Sequence, residues 1–183
     1  VSFVGYAFVD DTDQIVTSPE DDASFQEIAH RMQASVTAWQ GGIRATGGAI
    51  VPEKSHWYLI DFVWTHGHWR YATEAETPAQ ISVQDSTGTE KMLERLAPDE
   101  ARRTLGVRLA PDGNCDDQFK FMVNVATEWG EHIRTGHLPR HLVWESMHTT
   151  ILRTLLYPLP ATTLSQKQCH QIMAPILKYG LPC

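Results

Sequence analysis

One apolar stripe constrains this chain more than any other feature. Phe25, Ile28, Ala29, Met32, Val36, Trp39 and Ile43 recur at offsets of 0, 3, 4, 7, 11, 14 and 18 residues, the spacing that lines one face of an α-helix. Such a helix must bury its stripe, and the flanking segments are rich in aromatic and β-branched residues. It is therefore expected to pack on one face of a sheet. Gly47-Gly48 supplies the stop. Ser18-Pro19-Glu20-Asp21 supplies a start: a capping serine, proline at the first helical position, and acids facing the positive helix end.

Strands and turns fill the rest of the first two-thirds. Val1 to Val9 breaks at Asp10-Asp11 and apolar character resumes at Ile15-Val16, which predicts a hairpin with an acidic tip. His56 to Trp64 and Trp69 to Ala72 flank Thr65-His66-Gly67-His68, a second hairpin. Gln80 to Gln84 and Lys91 to Leu96 flank Asp85-Ser86-Thr87-Gly88, a third. Thr104 to Leu109 reads as a further short strand closed by Pro111-Asp112-Gly113. From Asp117 onward the period becomes helical. Phe119, Met122, Val123, Ala126, Trp129 and Ile133 form one stripe, and Leu142, Val143, Met147, Ile151, Leu155 and Leu156 a second. A third helix starts at Ser165, with Gln168 completing a capping box, and Pro175 is expected to kink it. These elements imply an α+β fold class, a mixed layer succeeded by a helical subdomain.

Composition narrows the functional classes. A chain of 183 residues can bury one real core. Its formal charge of −7 argues against a freestanding nucleic-acid-binding module. That charge is uneven: residues 1–118 carry nine Lys+Arg against nineteen Asp+Glu, and residues 119–183 six against three. Cys115, Cys169 and Cys183 form no CxxC and cannot all pair, so neither a disulfide framework nor a cysteine-rich zinc site is expected. No apolar run reaches the ~18 residues of a membrane span, and no signal peptide opens the chain. An intracellular setting, cytoplasmic or nuclear, with no membrane partner is the expectation. Both ends read as cut from a longer protein.

Asp10-Asp11 is the strongest chemical feature. Adjacent carboxylates at a hairpin tip repel one another, and a divalent cation with a taste for oxygen ligands would relieve that repulsion. A solvated turn is the plain alternative. Lys54 read alone is a solvated turn lysine. His66 and His68 lack a third ligand. Gly136 and Pro139 interrupt the helix that would align His132, His137 and His141. Cys169 and His170 are neighbours on a helix and point different ways. Ser146 and His148 lack a nucleophile turn. Trp57, Trp64 and Trp69 suit a cross-strand cluster in the core better than an exposed base-stacking face.

Phe8-Val9-Asp10-Asp11 resembles the [Tyr/Phe]-x-Asp-Asp signature of reverse transcriptases, motif C of the polymerase palm. The order of the downstream segments sharpens the likeness. The helical residues 19–46 lead into Gly47-Gly48-Ala49-Ile50-Val51-Pro52-Glu53-Lys54-Ser55, similar to motif D, where a glycine turn precedes Pro-Glu-Lys-[Ser/Thr]. Thr104-Leu105-Gly106-Val107 resembles the Leu-Gly hairpin of motif E, the primer grip. Tyr157-Pro158-Leu159 looks like retroelement sequence, and the likeness is to retrotransposon enzymes more than retroviral ones.

The resemblance implies the C-terminal part of a palm, antiparallel hairpins plus a packed helix, over residues 1–116. A helical thumb-like or connection region follows over 117–183. It implies RNA-directed DNA polymerisation by two-metal nucleotidyl transfer onto a primer 3′-hydroxyl. Asp10 and Asp11 would hold Mg²⁺ or Mn²⁺, and Lys54 would stand near the leaving phosphate as charge stabiliser or proton donor. Leu105, Gly106 and Val107 would shape the primer contact. The partners implied are an RNA or DNA template with primer and deoxynucleoside triphosphates. The motif A aspartate and the fingers would come from a missing upstream segment of the same polypeptide, so the fragment alone is expected to be inactive. Residues 56–103 have no family role. Two other readings stay open: a non-catalytic palm-like remnant or interaction domain, and a metal-dependent hydrolase drawing on Asp13 or Asp61 beside Asp10 and Asp11.

Overall fold

In the computed structural model, residues 3–8, 11–18 and 23–180 are described. The protein is α+β, and its chain forms two compact units, residues 1–100 and 101–183.

The first unit opens with an antiparallel pair, β1 (Phe3–Phe8) and β2 (Asp11–Val16), in register from Phe3 opposite Val16 to Phe8 opposite Asp11. Val9 and Asp10, which separate the two strands in sequence and include half of the Asp10-Asp11 motif, lie outside the described residues. Helix α1 (Phe25–Ala45) carries the stripe. It begins later than Ser18-Pro19 suggests: Ser24 is the N-cap, its hydroxyl accepting the Glu27 N–H at 3.3 Å. Ser24-x-x-Glu27 is a capping-box pattern that the competing signal six residues earlier masks in the sequence. The Ser18 hydroxyl instead accepts a hydrogen bond from Arg31 at 3.2 Å. The end is as expected. Gly47, at φ 85°, donates to the Arg44 carbonyl, and Gly48 to that of Ile43, which is the Schellman arrangement that glycine permits.

Phe25, Ile28, Met32 and Val36 of α1 pack on a core of Trp57, Leu59 and Ile81. These four are only partly buried, so each contributes less than the about 1.5–3 kcal/mol of a fully buried side chain, and Trp39 near the end of the stripe is exposed. Polar residues on α1 tie it down further. The Gln33 amide accepts the Ser82 N–H at 2.8 Å and donates to the Ser82 carbonyl at 2.9 Å. Gln40 does the same to Gln84, at 3.2 and 3.0 Å. Ser35 donates to the Gln14 side chain on β2 at 3.0 Å.

Past a 3₁₀ turn at Pro52–Lys54, the strand expected over His56 to Trp64 is two elements. Strand β3 (His56–Tyr58) runs parallel to β8 (Glu94–Leu96). Strands β4 (Phe62–Thr65) and β5 (His68–Tyr71) form a separate antiparallel hairpin. Residues 59–61, with Leu59 buried, belong to neither strand and separate the two. The third hairpin is present as β6 (Ser82–Gln84) and β7 (Glu90–Met92), turning through Asp85–Thr89.

The second unit starts with β9 (Arg102–Thr104) and β10 (Val107–Leu109), an antiparallel hairpin where the residues alone read as one strand. Helix α2 (Asp116–Gly136) follows. Next come α3 (Arg140–Ser146), a π-helical stretch (Met147–Ile151) and α4 (Leu152–Leu156), with helical backbone at both junctions. The last element is α5 (Gln166–Gly180). The expected capping box forms: Ser165 N–H donates to the Gln168 side chain at 2.9 Å, and Gln168 N–H to the Ser165 hydroxyl at 3.3 Å. Met122, Ala126, Trp129, Val143, Met147, Ile151, Leu155, Ile172 and Ile176 are buried together. Gly130 lets α5 come close, since a methyl there would sit 2.8 Å from the Tyr179 ring. Among the described residues no helix is long and apolar enough to cross a membrane.

Candidate functional site

Alternation along β2 places Asp11, Asp13 and Ile15 on its exposed side, with Val16 buried. Asp11 therefore opens β2 as an exposed carboxylate with no hydrogen-bond or ion-pair partner among the described residues. Asp10 belongs to the connection that is not described. Oxygen donors of this kind are what Mg²⁺ or Mn²⁺ requires, and among the described residues nothing competes for the Asp11 oxygens. Asp13 shares its face. Asp61 is engaged otherwise, accepting the Phe62 N–H at 2.8 Å. Among the described residues no group of three or more His, Cys, Asp or Glu side chains gathers, and His66, His68, His132, His137 and His141 form no such cluster. Cys115 and Cys169 are free thiols.

Lys54 closes the Pro52–Lys54 turn, where its N–H donates to the Val51 carbonyl at 3.1 Å and Ser55 N–H to that of Pro52. The proline at the first position presets this turn. The Lys54 side chain is exposed and without an ion pair among the described residues.

The tryptophans divide. Trp57 is in the core, 6% exposed, with the Arg95 guanidinium 5.2 Å from its ring centre. Trp64 and Trp69 are not in the core: they are 71% and 58% exposed and face one another across β4 and β5. Phe62 opposes Tyr71 in the same hairpin, and the Phe62, Trp69 and Tyr71 ring centres lie 5.3–5.6 Å apart. The cross-strand cluster is real, but it is a surface one. The other face of the hairpin is fixed by Arg70, whose guanidinium donates to both Glu76 oxygens at 2.8 and 2.5 Å. Glu76 also accepts the Thr73 N–H and hydroxyl, each at 2.9 Å. The Arg70 fork, followed by these Thr73 donors, lowers the Glu76 carboxyl to about 2.

The Leu105-Gly106 turn is the most constrained point of the second unit. Leu105 has φ 49° and Gly106 φ 86°, the two positive values of a two-residue hairpin turn. Leucine rarely adopts that conformation, which costs roughly 1–2 kcal/mol. A tether accompanies the strain: the Tyr157 hydroxyl donates to the Leu105 carbonyl at 2.8 Å, and its ring lies where a Gly106 side chain would be met at 3.4 Å. Two motifs 52 residues apart in sequence thus meet. Val107 is buried beneath the turn.

Two flanking arginines carry no motif and are missed by sequence reasoning. Arg103 and Arg108 are directly opposed on β9 and β10, and both are exposed. Their positions are symmetric about Leu105-Gly106, so a two-residue turn there is the signal that pairs them. The Arg108 guanidinium lies 5.0 Å from the Phe121 ring centre, and the Arg108 backbone N–H donates to the Gln118 side-chain oxygen at 2.8 Å. Gln118 is 1% exposed, and its amide nitrogen has no hydrogen-bond partner among the described residues.

Compared with protein-family models, curated proteins and solved structures, the chain matches none.

Proposed function

We propose that this chain is the C-terminal palm half and thumb-like region of a retroelement reverse transcriptase, catalytically incomplete without its upstream segment. The observation that carries the reading is the order of elements around the motif residues. An antiparallel strand pair flanks Val9-Asp10 in sequence, a capped helix packs beside it, a Pro52-Glu53-Lys54 turn follows, and later a tight Leu105-Gly106 hairpin precedes helices. Asp10 and Asp11 would hold Mg²⁺ or Mn²⁺, and the chemistry such a metal would supply is activation of a primer 3′-hydroxyl and stabilisation of the leaving pyrophosphate. A third carboxylate arrives from the upstream segment. Lys54 Nζ, exposed and without an ion pair among the described residues, places a positive charge and a transferable proton at the leaving phosphate. Leu105, Gly106 and Val107 steady the primer end, and RNA or DNA template–primer with deoxynucleoside triphosphates are the substrates.

In the complete enzyme, Asp10→Asn is expected to lower primer extension by several orders of magnitude while leaving the circular dichroism spectrum and melting temperature unchanged. Near-normal extension by that variant sinks the proposal. A second reading, a non-catalytic interaction domain, is favoured by the exposed aromatic face of β4 and β5. It predicts that the complete polypeptide extends no primer even with both aspartates intact.

A further inference from the structure

Directly opposed residues on an antiparallel pair have Cβ atoms roughly 4.5–5.5 Å apart, and like charges at such positions destabilise the pair. Arg103 and Arg108 occupy such positions. Neither guanidinium has a carboxylate within ion-pair distance among the described residues. Of the acids that follow the hairpin, Asp117 pairs with Lys120 at 3.3 Å, and Asp112 accepts the Asn114 N–H at 2.7 Å. Contrast Arg70, whose charge a glutamate matches on both oxygens.

Arg108 is also held in place. Gln118 fixes its backbone and Phe121 lies against its guanidinium. Stacking on an aromatic face leaves the in-plane N–H edges free, which is the presentation that favours bidentate contact with an oxyanion. Arg103, with no partner of its own, lies across from it. We infer that Arg103 and Arg108 form a clamp for the phosphodiester backbone of a nucleic acid strand.

The polymer is preferred to a small anion for two reasons. The pair lies on an exposed hairpin surface, where a single phosphate keeps most of its hydration, whereas a strand adds contacts along its length. The surrounding unit, residues 101–183, also carries nine Lys+Arg against six Asp+Glu, so it attracts a polyanion that residues 1–100, with six against sixteen, would repel. The clamp deepens the reading above and takes from it only the kind of polymer, a template–primer duplex.

The test is fluorescence anisotropy of a labelled RNA–DNA primer–template with the 183-residue chain across a sodium chloride series. Replacing both residues, Arg103→Gln with Arg108→Gln, is expected to weaken binding at least about tenfold and to reduce the log–log salt slope by about 1–2. Arg103→Gln alone removes a side chain with no partner, so it should lose part of the affinity with an unchanged or raised melting temperature. Wild-type chain that fails to bind the duplex, or variants with wild-type affinity and slope, overturn the clamp. So does inorganic phosphate that displaces the duplex better than sodium chloride of equal ionic strength, since the ligand would then be a free anion. An Asp10→Asn chain that binds duplex normally while its complete enzyme still extends primer separates the two claims: the clamp stands and the polymerase reading falls.

Discussion

The hairpins β4–β5 and β9–β10 share one turn geometry and use it for opposite ends. Each reverses through two residues at positive φ, His66-Gly67 at 51° and 81° and Leu105-Gly106 at 49° and 86°. In the first, histidine is among the residues that tolerate the left-handed region, the single arginine is neutralised by Glu76, and one face is aromatic and exposed. In the second, leucine stands in the strained position, a tyrosine from α4's end tethers it, and two arginines are left facing each other. A hairpin whose charges are matched is stabilised by them. One whose opposed arginines, Arg103 and Arg108, are unmatched among the described residues is held by other means, by Tyr157 at the turn and Gln118 at the strand, and that leaves their charge for a partner.

The contrast can be broken at the turns. Gly106→Ala and Gly67→Ala each force alanine to positive φ at roughly 1–2 kcal/mol, a fall of about 2–4 °C per kcal/mol in a chain of this size. Nothing lies within 4 Å of a Gly67 methyl, whereas one at Gly106 meets the Tyr157 ring. The Gly106 variant is therefore expected to melt lower. Equal melting temperatures would show that the tyrosine ring constrains nothing.

A smaller effect isolates the tether. Tyr157→Phe removes one hydrogen bond to a carbonyl near solvent, worth about 0.5–1.5 kcal/mol, and thermal unfolding should register a drop of a few degrees at most. No drop would mean that the hydroxyl does not offset the Leu105 strain.

The smallest expected effect lies in the first hairpin and depends on pH. The Glu76 carboxyl is lowered from 4.5 to about 2, so its contribution is fully present above the usual carboxylate range and is lost as pH falls through 4.5 towards 2. Exposure and salt keep it small. Glu76→Gln should melt slightly below wild type at neutral pH, with the two converging as the pH approaches 2. A gap that persists in acid would assign the stabilisation to packing and not to the ion pair.

Local pattern makes much of this fold legible. The α1 stripe, the glycine stop, the Ser165 capping box and the turns at Gly67 and Gly88 all act within a few residues, where sequence carries direct information. The features that escape it are non-local or ambiguous. The parallel pairing of β3 with β8 joins residues that no short window contains. Period-two alternation groups Trp64 with Phe62 but cannot tell which side faces solvent. Ser18-Pro19 and Ser24 offer rival helix starts, and the stripe begins at Phe25 for either. Of the candidate site, Asp11, Lys54 and Leu105-Gly106 stand out through motif order. Arg103, Arg108 and Gln118 carry no motif and emerge only once the turn sets the register.

Gln33 and Gln40 stand seven residues apart on α1, about 10.5 Å along the helix axis, yet they serve alternate residues only about 6.6 Å apart on β6. Their flexible side chains bridge that difference, and each amide stands in for the peptide group of a neighbouring strand. The outward N–H and C=O groups of Ser82 and Gln84 are consequently already taken. A stranger's backbone that approached this border would find no donor or acceptor to join, so edge-to-edge aggregation is barred here by two side chains that the composition counts as merely polar.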